Sequence, residues 1–390
     1  MSTRITTGID IGTFEVRVVV SEYREENSTP VIIGTGRAES KGLRHGYTIN
    51  TSDVIKSVSS AVRQAEKSSG FKIKNAYISI GGAGLSGINS QGSAMVSRAD
   101  QEITDADLDL AMSSAEDSIP KNLLQNRKII YSIPIQWKID GKPALGRILG
   151  MKGVKVEVKT LFISCIETHL DDLVLAVEEA GVKVIDVVAS PIAASFVTLS
   201  KSQKIAGCVL ANIGAETVSI VVFENNIPIS LEVFPIGGSD ITNDIALGLK
   251  ISLEEAESIK IGGVTATNYS KKKLEEIISA RLNDIFDLIE AHLKKMGKSG
   301  LLPAGIIITG GSSSISLIED LARSYLKLPS RIASLNIANG KFQIQDSSWS
   351  VAYGLCIMGG ISSDEDVLAL KKKGGDILRS ILRVIKQFLP

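Results

Sequence analysis

The chain has 390 residues, more than one ordinary domain holds, so two or more are expected. Hydrophobic residues make up 44% and charged residues 22%, and 43 Lys and Arg balance 43 Asp and Glu, which excludes a nucleic-acid binder working through bulk charge. No apolar run approaches the roughly 18 residues that span a bilayer, and the polar start Met1–Thr3 leads straight into a strand, so neither a spanning helix nor a signal peptide is expected and any membrane contact is expected to be peripheral.

In chain order, Ile5–Val20 reads as strand, glycine turn, strand, with Asp10-Ile11-Gly12-Thr13 in the turn. Gly81–Thr160 has a pattern of its own and is expected to be a small inserted domain. Within it Gly82–Val96 is Gly- and Ser-rich, Thr104–Asp117 is an amphipathic helix with Thr104 as N-cap and Asp107 three positions on, and Ile129–Ile139 and Val154–Ile166 alternate like strands. Gly181–Val188 reads as a buried strand and Pro191–Leu199 as a helix. Gly207–Phe223 then repeats the opening grammar, with Ala211-Asn212-Ile213-Gly214 matching Ile9-Asp10-Ile11-Gly12, which points to a duplicated α/β unit. Ser239–Leu249, Leu253–Ile261 and Lys271–Met296 are helical. Ile306–Thr309 is a short buried strand ending in Gly310-Gly311, with a helix over Ile315–Leu326. The polar stretch 362–375 reads as a linker before a last helix, 376–390. Cys165, Cys208 and Cys356 lie in apolar runs without metal spacing and read as reduced core thiols. His45, His169 and His292 have no metal or triad partner in sequence and receive no role.

Three turns carry the candidate chemistry. In the first, Gly12 lets backbone N–H groups approach a phosphate, Thr13 supplies a hydroxyl, and Asp10 at a strand end suits a hydrated Mg²⁺. Asn212-Ile213-Gly214-Ala215-Glu216-Thr217 is the mirror clamp, with Asn212, Gly214 and Thr217 facing the ligand. The third, Thr309-Gly310-Gly311-Ser312, places paired glycines where a base or phosphate lies against backbone.

Together these resemble the two phosphate motifs and the adenosine motif of the actin superfamily. Phe234–Leu249, Leu253–Lys260, Glu102-Ile103-Thr104, Ile133-Pro134 and Gly150–Val154 narrow the resemblance to the FtsA family of cell-division proteins, over essentially the whole chain. The resemblance implies an α/β actin-like ATPase fold: two duplicated halves around a nucleotide cleft, an FtsA-type IC insertion and a C-terminal amphipathic helix. It implies subdomain IA over 1–82 and 164–200, IC over 83–163, IIA over 201–236 and 301–361, and IIB over 237–300. It implies ATP and Mg as cofactors, with Gly237, Gly238, Glu257, Lys260, Gly310, Gly311 and Ser312 at the ribose and base, and Asp10 at the metal. Lys273 and Arg281, at the start of the long helix, are implied at the docking site of the FtsZ C-terminal tail. Self-association into filaments, contact with other division proteins, and residence at the septum on the cytoplasmic face of the inner membrane are implied likewise. The pattern departs where Asn212 stands for an Asp, Ala215-Glu216 for glycines and Glu15 for a Lys. A Glu beside phosphate oxygens is repelled unless it points away, and an Asn does not polarise water as a carboxylate does, so hydrolysis is expected to be slow or absent.

On a wheel of about 100° per residue, Ile377, Leu378, Ile381, Leu382, Val384, Ile385, Phe388 and Leu389 share an arc of about 160°. Arg379, Arg383 and Lys386 lie on the rest. Large apolar residues opposite basic ones suit a helix lying in an anionic membrane surface, with Lys371–Lys373 adding charge beside it. A small-molecule kinase and a PilM-like pilus-assembly protein share the fold and remain as alternatives; neither needs this helix.

Overall fold

The computed structural model describes residues 4–23, 29–263, 269–335 and 344–361. The stretch 362–375, read as a linker, and the helix expected over 376–390, with the membrane-facing residues expected from Ile377 to Leu389, lie outside the described residues.

The first half opens with β1 (Arg4–Ile11), β2 (Glu15–Tyr23) and β3 (Val31–Glu39), joined antiparallel. A small ladder of β4 (Leu43–Arg44) and β5 (Tyr47–Thr48) turns through His45 and Gly46, both at positive φ. Helix α1 (Thr51–Ser69) is capped by the Asn50 side chain and buries Val54, Val58, Ala61, Val62 and Ala65, the i, i+4 stripe of a core-facing helix. Strand β6 (Asn75–Ile80) runs parallel to β1.

The chain then leaves this sheet for β7 (Ser86–Met95), α2 (Asp105–Asp117), α3 (Lys121–Leu124), β8 (Arg127–Ile139), β9 (Lys142–Pro143) and β10 (Lys155–Ile166). They form a separate antiparallel sheet in the order β7-β10-β8-β9, with α2 on it over a small core that includes Met112, Val158 and Phe162. The expected capping box closes α2: Thr104 accepts from Asp107 N, and Asp107 accepts from Thr104 N. At the root of the insertion the Arg127 guanidinium donates to Gly84 O (2.6 Å), Ser86 Oγ (2.7 Å) and Ser164 Oγ (3.0 Å), which ties the entering and leaving chains together.

Helix α4 (Glu167–Glu179) and β11 (Lys183–Ala189) complete the first sheet, order β11-β6-β1-β2-β3. Here the structure corrects one expectation: β11 is the sheet's edge strand, and Ile185 is 48% exposed, so only its C-terminal end is buried. Helices α5 (Ser190–Thr198) and α6 (Lys201–Ala206) lead into the second half.

There β12 (Cys208–Ile213), β13 (Val218–Glu224) and β14 (Ile227–Phe234) are antiparallel. Helices α7 (Gly238–Leu249), α8 (Leu253–Lys260) and α9 (Lys271–Lys295) follow, then β15 (Ile306–Thr309), α10 (Ile318–Leu326), β16 (Ser330–Ile332) and α11 (Ser350–Ile361). The second sheet, β14-β13-β12-β15-β16, repeats the order and strand directions of the first, so the duplication read from the two hairpins extends to whole sheets. The helix expected from Ile315 begins only at Ile318. A 3₁₀ turn over Gly311–Ser314 comes first, because Ser313 and Ser314 hydroxyls back-bond to Gly310 and Gly311 carbonyls. Helix α11 packs on β1, β2 and α5 of the first half.

Candidate functional site

Parallel strands expose their C-terminal ends together, and the residues just beyond them are where α/β sheets hold ligands. The ends of β1, β6 and β11 in one half, and of β12 and β15 in the other, converge on a cavity of about 560 Å³. Asp10, Gly12, Thr13, Asn212, Gly214, Thr217, Glu257, Lys260, Gly310, Gly311 and Ser312 all line it.

The two hairpin turns have the same shape. Gly12 N donates to Glu15 O (3.2 Å), and Gly214 N donates to Thr217 O (2.9 Å). Gly237 and Gly238 do not line the cavity. Both are buried behind the second turn: Gly238 N donates to Gly214 O (2.9 Å), and Ser239 N to Ala215 O (2.7 Å). They support the turn from behind. On the third turn Gly310 has φ +94°, and the bend is fixed by Ser313 Oγ on Gly310 O (2.7 Å) and Ser347 Oγ (2.8 Å).

Asp10 is buried and accepts from Ser79 Oγ (2.7 Å), which itself accepts from Ile11 N (3.3 Å). Burial pushes the carboxyl's pKa up; the Ser79 bond and the nearby Arg17 charge oppose the rise. A desolvated carboxylate with one hydroxyl partner, at the cavity wall, suits a cation. No cluster of three or more His, Cys, Asp or Glu residues able to hold a metal occurs among the described residues, so a cation here would need water and ligand oxygens for the rest of its shell.

Lys260 is nearly fully buried. Its ammonium donates to Glu257 Oε2 (2.6 Å), Thr242 Oγ1 (2.9 Å) and Gly238 O (3.0 Å). This network holds α8 against the start of α7 and leaves half-exposed Glu257 at the cavity rim. Lys273 and Arg281 lie elsewhere, on α9. Lys273 is exposed in the first turn, whereas Arg281 is bidentate to Asp244 of α7 (2.7 and 3.1 Å) and also reaches Asp284 (3.2 Å).

The departures from the family pattern take definite positions. Glu216 points away from the turn and crosses the cleft: its carboxylate accepts from His45 N (2.5 Å), and the His45 ring Nδ1 lies 3.2 Å from Glu216 O. Glu15 pairs with Arg17 at 2.8 Å, and both line the cavity. Sequence reasoning missed Arg17, Ser79, Thr242, Asp346 and Ser348. Arg17 left a signal, a charge amid the valines of β2; the others did not.

Two family models match the chain: "Cell division protein FtsA" over residues 209–354 and "SHS2 domain inserted in FTSA" over residues 82–164. The cell division protein FtsA of Bacillus subtilis is 31% identical over 369 residues, covering 89% of this chain and 81% of that protein. Its counterpart in Pseudomonas aeruginosa is 27% identical, covering 96% and 93%. Among solved structures, a PilM–PilN type IV pilus biogenesis complex superposes with TM-score 0.69 at 15% identity, covering 91% of this chain and 98% of that one. MreB 5 of Spiroplasma citri bound to AMPPNP gives 0.55 at 13%, covering 95% and 99%. At such identities these structures speak to the fold, the actin-like ATPase architecture.

Proposed function

The chain belongs to the FtsA family of cell-division proteins, and from that premise we propose that it is an ATP-binding, actin-like adaptor that polymerises on the inner face of the membrane and tethers FtsZ filaments there. The observation that carries the nucleotide reading is the convergence of three glycine turns from two duplicated halves on one cavity. The MreB neighbour, solved with AMPPNP, supports it.

In this reading the Gly12–Thr13 and Gly214–Thr217 turns present backbone and hydroxyl donors to the phosphates, and Gly310–Ser312 with the Glu257–Lys260 rim receives the base and ribose. Asp10 would hold a Mg²⁺ ion through water, and the ion would supply charge neutralisation at the phosphates. Asn212 is an amide and Glu216 is engaged by His45, which leaves neither to take a proton from water. ATP therefore acts mainly as a regulatory ligand, stabilising the closed protein by RT ln(1 + [L]/Kd).

Titration with a fluorescent ATP analogue, with and without Mg²⁺, tests this. Asp10→Ala should abolish the Mg²⁺-dependent part of the affinity, while phosphate release by the unmodified protein stays far below about 1 s⁻¹. Affinity indifferent to Mg²⁺ removes the metal role, and turnover at or above that rate removes the regulatory reading. No helix among the described residues is long and apolar enough to cross a membrane, so lipid contact is assigned to 376–390, and FtsZ tail docking to the α9 region around Lys273 and Arg281. Filaments on lipid monolayers with ATP, and recruitment of FtsZ to vesicles that is lost on deleting 376–390 while FtsZ binding in solution remains, are the expected outcomes.

A further inference from the structure

One wall of the cleft is not used by the three turns. Beyond β1, the ends of β6 and β11 carry Gly81-Gly82 and Ser190, and α4 lays His169 across them. His169 is 4% exposed and lines the cavity, yet among the described residues neither ring nitrogen meets a partner at full hydrogen-bond geometry, the Gly81 backbone making only a weak approach to the ring. Among the described residues its one ring contact is the edge of Tyr47 from β5, 5.7 Å between centroids. A buried imidazole so poorly satisfied is destabilising, and a ligand atom in the cleft removes that penalty. Behind it, α5 starts at Ser190-Pro191 with no side-chain cap, so the positive end of that helix is open to the same space.

We propose that this corner receives the terminal phosphoryl group of a nucleoside triphosphate, and that His169 is the residue by which the cleft distinguishes a triphosphate from a diphosphate. The proposal rests on the nucleotide reading above. It adds a specific contact: one imidazole N–H donates to a terminal phosphoryl oxygen, with the α5 N-terminus behind it. The pseudo-symmetry of the halves fits this placement. The proposed base site lies one strand beyond the second hairpin, at β15, and this corner lies at the corresponding strand, β6, and its neighbour in the first half.

Protonation follows binding. Burial holds the His169 pKa below the ordinary value, so the ring is neutral in the free protein. Asp172 on the same helix and the Gly81 backbone act in the opposite direction. The other charged groups on the cavity wall are Asp10, Glu15, Arg17, Glu257, Lys260 and Asp346. A phosphate dianion against the ring raises its pKa, so triphosphate binding takes up a proton and diphosphate binding does not.

Isothermal titration of the full-length protein with AMPPNP and with ADP, each in two buffers of different ionisation enthalpy at pH 7.5, reads this directly. The expected result is proton uptake with AMPPNP alone, and an AMPPNP-over-ADP preference of about tenfold. His169→Leu should erase both while leaving ADP affinity within error and the melting temperature unchanged or raised, and His169→Gln, which keeps a donor, should retain most of the preference without the proton. If both nucleotides bind and neither takes up a proton, the inference is wrong while the nucleotide reading stands. If neither binds, both are wrong.

Discussion

Replacing Gly310 with alanine should destabilise the protein by about 2–6 kcal/mol. The backbone at Gly310 sits at φ +94°, a region that costs an L-residue about 1–3 kcal/mol. An added Cβ would also stand 2.4 Å from Asn212 Oδ1 and 2.5 Å from Ile213 O. The amide could rotate away, but the carbonyl belongs to β12, whose Ile213 is paired with Val218, so overpacking adds about 1–3 kcal/mol. The adjacent Gly311 is the control. A Cβ there meets no atom within 4 Å and projects into open space at the cleft, so Gly311→Ala should change stability by less than about 0.5 kcal/mol. Urea denaturation of the two variants, followed by tryptophan fluorescence and circular dichroism, separates these costs. Titration with the ATP analogue completes the comparison: Gly311→Ala should weaken binding without loss of stability, because the methyl occupies ligand space. A Gly310→Ala protein as stable as the parent, or a Gly311→Ala protein less stable than Gly310→Ala, refutes the reasoning.

Three further outcomes are expected. Asp107, held by the Thr104 hydroxyl and by Thr104 and Ser97 amides, has its pKa lowered to about 2, so its contribution is full above the unfolded carboxylate value of about 3.9 and is lost as pH falls from there through about 2. An acid titration of stability should show this loss, and Asp107→Asn, already less stable at pH 7, should flatten that limb. Arg281→Ala should cost about 1 kcal/mol or less, since its pair with Asp244 is partly exposed, while loosening α9 from α7; amide exchange confined to those helices checks it. In vesicle flotation, Ile381→Glu should release the protein from membranes of any charge, whereas Arg383→Ser should weaken binding by about 1 kcal/mol and only on anionic lipid. Intact flotation with a lower melting temperature for Ile381→Glu would instead mark the helix as a docked part of the body.

The features legible in the residues alone are local ones. Both Gly-turn hairpins, the four-residue strand Ile306–Thr309 and the Thr104–Asp107 capping box depend on residues a few positions apart, and each forms where it was read. Turn chemistry and side-chain periodicity act over that range, so they are visible without the fold. The family resemblance went further because motifs spread along the chain matched in order. Contacts between distant segments became visible only with the folded chain. The Ser79 hydroxyl on Asp10 comes from 69 residues away, and the bond from His45 to Glu216 closes the cleft across 171. The edge position of β11 was invisible because an apolar run does not state how many neighbours its strand will have. His169 carried no motif at all; it acquires a candidate role only because the parallel strands of two mixed sheets open their C-terminal ends onto the same space, and a packed helix lays a buried ring beside one of them.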